Sequence, residues 1–289
     1  MPERNSRQCA KAPPKHGCLL VVALSLNSCS WFSSVSGESH DSKGAHSVLV
    51  TEQGSVTMLD RHTGGQIWRH QTKVTDFTPL VVNNMIYIVS QNPGGYNPDR
   101  TDMLEALSLA SGVLVWSWRW KEHWTPENPP IVVDGVIYLS ESNLSASATY
   151  SPAPLSEYQG FVVALRASDG RQLWKVSLPG VLSPATVANG TIYVSNGEAV
   201  LALRSNDGRQ LWQYRPGPNE GLSYYTQLGM QERETNVIVV QGNQLYIYLD
   251  HVEGSHSAED LVALDIQTGK RSGGIRATPF FGPSCCKMA

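Results

Sequence analysis

Three stretches of this chain carry residue types that could do chemistry. His251 and His256 offer two imidazole nitrogens to a metal ion, but no carboxylate spacing accompanies them to complete a site. Ser168-Asp169-Gly170 and Asn206-Asp207-Gly208 have the small, polar make-up of a phosphate-cradling loop. Such a loop needs a helix to follow it, and the residues that follow are short and strand-like. The same tripeptides suit a tight turn, with Gly in the left-handed region and Asp capping the turn. WSWRWKEHW, from Trp116 to Trp124, has the aromatic density of a binding hot spot. Its alternation places Trp116, Trp118 and Trp120 on one face of a strand, with His123 and Trp124 beyond it in a loop. No catalytic residue and no metal ligand is nominated from these stretches.

The elements that position these residues are repeats. Residues 164–174, ALRASDGRQLW, and 202–212, ALRSNDGRQLW, share nearly every letter. The phrase returns as MLDRHTGGQIW (58–68), ALSLASGVLVW (106–116) and ALDIQTGKRSG (263–273). Each copy has Leu second and Gly seventh, at Gly64, Gly112, Gly170, Gly208 and Gly269. Four copies end in Trp68, Trp116, Trp174 and Trp212, and the fifth has Gly273 there. A second phrase precedes four of the copies: TPLVVNNMIYIVS from Thr78, PPIVVDGVIYLS from Pro129, SPATVANGTIYVS from Ser183 and NVIVVQGNQLYIYL from Asn236. Each is a β-branched run, a turn pair and a second run centred on Tyr. Asn83-Asn84, Asp134-Gly135 and Asn189-Gly190 suit two-residue hairpins, and Gln241-Gly242-Asn243 reads as a slightly longer one.

Each unit is therefore strand A, tight turn, strand B, loop, strand C, tight turn, strand D. The repeat glycines recur at spacings of 48, 58, 38 and 61 residues, the spacing of four-stranded propeller blades with insertions. One such sheet cannot bury both faces, and packing it on its neighbours does. Short, β-branched, Gly-bounded runs disfavour a helical solenoid.

The A-L-D-x-x-T-G-x-x-x-W pattern, following P-x-V-x-x-G-x-[IV]-Y-V, resembles the PQQ-like (pyrroloquinoline-quinone-like) β-propeller repeat family from about Val48 to Gly273. The resemblance implies an all-β fold of four to five four-stranded PQQ-like blades over residues 47–289. It also implies tryptophans docked between blades, over the turn of an adjacent repeat. The first unit, SVLVTEQGSVTMLDRHTGGQIW, lacks a strand A. Thr278-Pro279-Phe280 in the tail resembles the start of one. Either the tail completes the first blade and closes a five-bladed ring, or the propeller is open; the larger size usual in the family favours the open form. The family is functionally broad: it includes quinoprotein dehydrogenases, the propeller lipoprotein of the outer-membrane β-barrel assembly machinery, and cell-surface proteins. Some of the dehydrogenases hold a disulfide of adjacent cysteines over the cofactor. Cys285-Cys286 lies at the end of this chain, outside the repeats, and does not match that position.

The ends and the charge bound the setting. Arg4, Arg7, Lys11 and Lys15 precede an apolar run of nine residues, Cys18 to Leu26, too short for the ~20 residues that span a bilayer. Leu26-Asn27-Ser28-Cys29 resembles a bacterial lipobox, with Asn27 as a departure. Residues 1–28 are thus read as a lipoprotein-type signal peptide, Cys29 as the lipidated residue, and 29–46 as a flexible tether. Beyond residue 28, 18 Lys and Arg face 24 Asp and Glu, so no basic face suggests nucleic acid. No cysteine lies between 30 and 284, which leaves the folded region without a disulfide framework or a cysteine metal site.

Strand parity puts the short A–B and C–D turns at one end of the blades and the long connections at the other. Those connections, 91–102, 141–159, 215–235 and 251–258, gather Tyr96, Trp124, Tyr150, Tyr158, Tyr224 and Tyr225 on one face together with the 121–128 stretch. The expectation is a non-catalytic, extracytoplasmic lipoprotein that binds a protein or glycan partner through that face, with envelope protein assembly as one version. It needs no cofactor. The competing class is a dehydrogenase using pyrroloquinoline quinone and calcium, or a truncated remnant of one.

Overall fold

The computed structural model describes residues 18–23, 35–38, 47–52, 54–75, 77–91, 102–120, 128–142, 158–218, 220–222, 238–253 and 256–276. Every element among them is a β-strand, and the strands form five sheets, the blades of an incomplete β-propeller. Blade one holds β1 (Cys18–Ala23), β2 (Val35–Glu38), β3 (Ser47–Glu52), β4 (Ser55–Asp60) and β5 (Gln66–Gln71). Blade two holds β6 (Val74–Thr75), β7 (Leu80–Val82), β8 (Met85–Gln91), β9 (Met103–Ser108) and β10 (Leu114–Arg119). Blade three is β11 (Ile131–Val133), β12 (Val136–Ser142), β13 (Gln159–Arg166) and β14 (Gln172–Pro179). Blade four is β15 (Thr186–Ala188), β16 (Thr191–Ser195), β17 (Val200–Arg204) and β18 (Gln210–Tyr214). Blade five holds β19 (Glu220–Leu222), β20 (Val239–Gln241), β21 (Gln244–Glu253), β22 (His256–Asp265) and β23 (Arg271–Arg276).

Strands A to D of blades two to five run up and down, and the innermost strands of blades three to five sit side by side, β11 next to β15 and β15 next to β20. The core lies between blades, because strands B and C bury both of their faces. In β8, Ile86 and Ile88 pack with Leu49, Met58 and Trp68 of blade one. The alternate residues Tyr87 and Val89 pack with Ile137, Leu139 and Val163 of blade three. A period-2 strand with apolar residues at every position is what two-sided burial requires.

The A–B turns follow their sequences. Asn83 and Asn84 have φ of 49° and 62°, and Asp134-Gly135 and Asn189-Gly190 are likewise positive at both positions, as a type I′ hairpin demands. The fourth turn is not longer, as its sequence suggested: Gln241 pairs directly with Gln244, and only Gly242 has positive φ, which is the type II′ solution. Each C–D hairpin carries a β-bulge just after its turn, so that Ala164 opposes Trp174 while Leu165 opposes Gln172. The residue left unpaired is pushed outward. Ile67, Val115, Leu173 and Leu211, each at this position, are 40–51% exposed. The added twist of a bulge re-aims the next side chain, and here that side chain is the repeat tryptophan.

Two further departures from the sequence reading concern the connections. The stretch 251–258 is not a long loop: β21 and β22 continue through it as a ladder that ends at the Glu253–His256 pair. Residues 215–235 are not wholly loop, since β19 pairs with β21 beyond the end of β20. As its sequence implies, the first blade has no antiparallel strand A among the described residues; the inner edge of β3 is taken by β1 in parallel register, Leu20 beside Val48, and this is the one parallel pairing among the described strands. The tail residues Thr278–Phe280 lie outside the described residues.

Candidate functional site

Two features stand out once the blades are in place: a repeated lock between them and a buried polar band at one end of them. The lock is built by the repeat phrase. Gly112, Gly170, Gly208 and Gly269 all have φ between 67° and 71°, a region that favours glycine. A Cβ placed on them would lie 2.4–2.8 Å from ring atoms of Trp68, Trp116, Trp174 and Trp212 respectively, each from the preceding blade. Each indole thus lies flat on the glycine of the next turn, and each Nε1–H donates to a carbonyl three residues before that glycine: Leu109, Ala167, Ser205 and Ile266, all at 3.0 Å.

A tyrosine joins the lock in three places. The hydroxyls of Tyr87, Tyr138 and Tyr193 donate to the same Ala167, Ser205 and Ile266 carbonyls, at 3.3–3.5 Å. Each tyrosine tilts against the tryptophan of its own blade with ring centroids 5.8–6.1 Å apart. One carbonyl of the next blade therefore accepts from both aromatic residues. Burial raises the pKa of all three phenols, so they remain donors at neutral pH. In blade one the tyrosine position is Leu49, and between blades one and two a polar latch is added: Thr72 Oγ1 donates to the buried Glu105, whose carboxylate also lies 3.9 Å from His70 Nε2.

The polar band lies at the opposite end, where the B–C and D–A connections leave the strands. Asn128 Nδ2 donates to the carbonyls of Ser140 and Leu182, and the Leu182 N–H donates to Ser142 Oγ. Asn196 repeats the device one blade on, donating to the Pro179 carbonyl and accepting from the N–H groups of Glu198 and Ala199. These side chains pin the connections around blades three and four to the rigid strands.

Within the band Glu141 is 2% exposed. Among the described residues its Oε1 and the Trp120 Nε1 have no well-formed hydrogen bond. Burial pushes the Glu141 carboxyl up to about 8, against the pull of the Lys175 ammonium and the nearby Trp120 N–H. Lys175 sits 3.6 Å from the centroid of the Phe161 ring. Trp118 and Trp120 meet edge to face at 4.9 Å. Of the tryptophan-rich stretch, then, Trp116 belongs to the lock, while Trp118 and Trp120 line the core between blades two and three. The sequence reading missed Glu141. Its signal is positional, since the third residue after the strand-B tyrosine is Ser90, Glu141 and Asn196 in successive blades.

The residues expected to meet a partner are placed as follows. Tyr158 is half-buried at the loop-bearing end, and its carbonyl accepts from the Gly180 N–H at 2.7 Å. Tyr96, Trp124, Tyr150, Tyr224 and Tyr225 lie outside the described residues, as do Cys29 and Cys285-Cys286. His251 and His256 sit in the β21–β22 ladder opposite Ala258 and Glu253 rather than in a loop. Among the described residues no group of three His, Cys, Asp or Glu could hold a metal ion. A groove of about 270 Å³ between blades four and five is lined by Asn189, Tyr193, Leu211, Trp212 and Asn243, and is the flank of the lock itself.

Comparison with known proteins follows from this architecture. The chain matches the family described as outer membrane protein assembly factor BamB, over residues 21–150 and 100–278. No match is found among curated proteins. BamB from Moraxella catarrhalis is 14% identical with a TM-score of 0.49, over 80% of this chain and 60% of that one. Quinohemoprotein alcohol dehydrogenase from Comamonas testosteroni is 15% identical with a TM-score of 0.51, over 81% of this chain and 42% of that one, a likeness of fold. The chain thus spans 60% and 42% of the length of these two structures. With both arms of the family match running through all five blades, the chain belongs to the outer membrane protein assembly factor BamB family, a branch of the PQQ-like propellers.

Proposed function

We propose that this protein is a non-catalytic, extracytoplasmic scaffold acting in the assembly of outer-membrane proteins, held to the membrane by lipid on Cys29. The observation that carries the reading is the division of labour in the blades. The repeated Gly, Trp and Tyr residues are engaged in packing one blade on the next. The unlike insertions leave from the other end, where Asn128 and Ser142 brace the roots of two of them and Asn196 braces a short turn beside them. Loops on a rigid scaffold are where binding residues concentrate. The family supplies the setting, assembly of outer-membrane proteins. The partner is a protein, met by the tyrosine-bearing connections.

The test is an affinity purification of the full chain from membranes, beside a variant in which residues 143–157 are replaced by a Gly-Ser linker. The expected result is a defined protein partner retained by the first and lost by the second, with equal melting midpoints. A Cys29→Ser variant is expected in the soluble fraction. Incubation with pyrroloquinoline quinone and calcium is expected to give no dye reduction with alcohols or sugars. Stoichiometric quinone binding with substrate oxidation would overturn the reading in favour of a dehydrogenase, and retention on a glycan array alone would replace the protein partner with a glycan.

A further inference from the structure

Two buried polar side chains neighbour each other across the joint of blades two and three. Trp120 is 5% exposed and Glu141 is 2% exposed. The four lock tryptophans each place their N–H on a carbonyl at 3.0 Å. Trp120 Nε1 and Glu141 Oε1, both shut off from water, meet no such partner among the described residues. One is a donor and the other an acceptor, and the indole N–H stands near enough to favour the charged carboxylate. A buried polar atom without a partner carries its full desolvation cost, so two that could satisfy each other call for a reason.

Strand register sets the surroundings of Glu141. It opposes Phe161 in the β12–β13 ladder, and Lys175 opposes Val163 in the β13–β14 ladder. Side chains two apart along a strand share a face, so Glu141, Phe161, Val163 and Lys175 stand on the face of blade three turned toward blade two. Lys175 holds its ammonium 3.6 Å from the Phe161 ring centroid. The other residues at this place, Asn128, Ser142, Leu182 and Ser183, carry no charge. On the blade two side Arg119 is exposed, Glu105 is bonded to Thr72 at the opposite joint, and the carbonyl of the buried Asp102 accepts from the Trp120 backbone N–H at 3.3 Å. Lys175 is thus the cation that favours a charge on Glu141, and burial outweighs it.

We propose that Glu141 and Trp120 form a proton-operated latch between blades two and three. With the proton on Glu141 the two side chains are held by packing alone. When the proton leaves to solvent, the indole N–H donates to the carboxylate and ties the end of β10 to β12, a charge-assisted bond. The new bond offsets part of what the buried charge costs, so the latch closes while stability falls. It closes at the root of the 143–157 connection, where Ser142, the next residue of β12, accepts from the Leu182 N–H. Glu141 is here a positioning residue, acting on the joint through Trp120.

The test follows the indole N–H resonances of the isotope-labelled full chain by NMR from about pH 6 to about pH 9.5. The Trp120 resonance, identified by its loss in Trp120→Phe, is expected to move downfield with a midpoint of about 8. Those of Trp68, Trp116, Trp174 and Trp212 are expected to stay, because their acceptors are carbonyls that do not titrate. Glu141→Gln is expected to hold the Trp120 resonance fixed across the range. Trp120→Phe is expected to raise the Glu141 midpoint, read from its carboxyl carbon, by about one pH unit, the worth of one hydrogen bond to a charged group. The proposal is overturned if the Trp120 resonance does not move, if it moves in Glu141→Gln as well, if all the indoles move alike, or if the Glu141 midpoint is the same with and without the indole. Should Trp120→Phe fail to fold, ring contacts with Trp118 identify the resonance and the Glu141→Gln comparison decides.

Discussion

The blade lock makes a sharp demand on one class of glycine. Gly170 and Gly135 share nearly the same backbone, with φ of 70° and 74°. Alanine at either position meets the same left-handed strain, about 1 kcal/mol. They differ in what a Cβ would touch. At Gly170 it lies 2.5 Å from Trp116 Cε3, and at Gly135 nothing lies within 4 Å among the described residues. The obstructing atoms belong to an indole ring that cannot bend aside. It must shift as a plate, which weakens its 3.0 Å bond to the Ala167 carbonyl and its contact with Tyr87. Overpacking of this kind costs about 1–3 kcal/mol. Gly170→Ala is therefore expected to lose about 3 kcal/mol and Gly135→Ala about 1 kcal/mol. For a domain of this size the difference corresponds to a melting midpoint roughly 4–8 °C lower for Gly170→Ala. Far-UV circular dichroism of the full chain reads both midpoints. Combining Gly170→Ala with Trp116→Ala should remove the excess, since the ring it strikes is gone. Equal midpoints for the two single variants would refute the idea that the glycine is there to receive the indole.

Other consequences are as direct. The folded-state pKa of Glu141 is raised above its unfolded value, so between the ordinary carboxylate range and about 8 the native state binds a proton that the unfolded chain does not. Stability should fall as pH rises through that window, by a few kcal/mol in all, and level off above it. Glu141→Gln should flatten the profile measured by chemical denaturation; an unchanged slope would remove Glu141 as its source. Trp68 is 8% exposed whereas Trp174 and Trp212 are half-buried, so Trp68→Ala should be the costliest of the three, about 4 kcal/mol by urea denaturation. Deleting residues 1–28 removes β1 from the edge of β3 and, if that segment is a leader, should leave the cooperative melt of the remainder within a few degrees of the full chain.

What was legible in the sequence was local or repeated. Turn pairs such as Asn189-Gly190 announce their hairpins because few residues tolerate positive φ. Five copies of one phrase announce equivalent positions without any knowledge of contacts. What was not legible needed three dimensions. The strand-B tyrosine and the strand-D tryptophan stand 29 residues apart for Tyr87 and Trp116, yet they donate to one carbonyl, that of Ala167 in the next blade. The extension of β21 and β22 through His251 to Ala258 was hidden because the stretch is polar, and a hairpin that runs past its core need not alternate. Glu141 stands between Ser140 and Ser142 at the polar end of its strand, and only the burial of both faces of β12 shows that it cannot reach water.

The same comparison of like with unlike separates architecture from function. Where copies agree, as in the four filled turns, the residues bind one blade to the next and their chemistry is exhausted within the chain. Where they disagree in length, as between the two-residue A–B turns and the insertions at the other end, the scaffold tolerates variation because the polar band fixes only the loop roots.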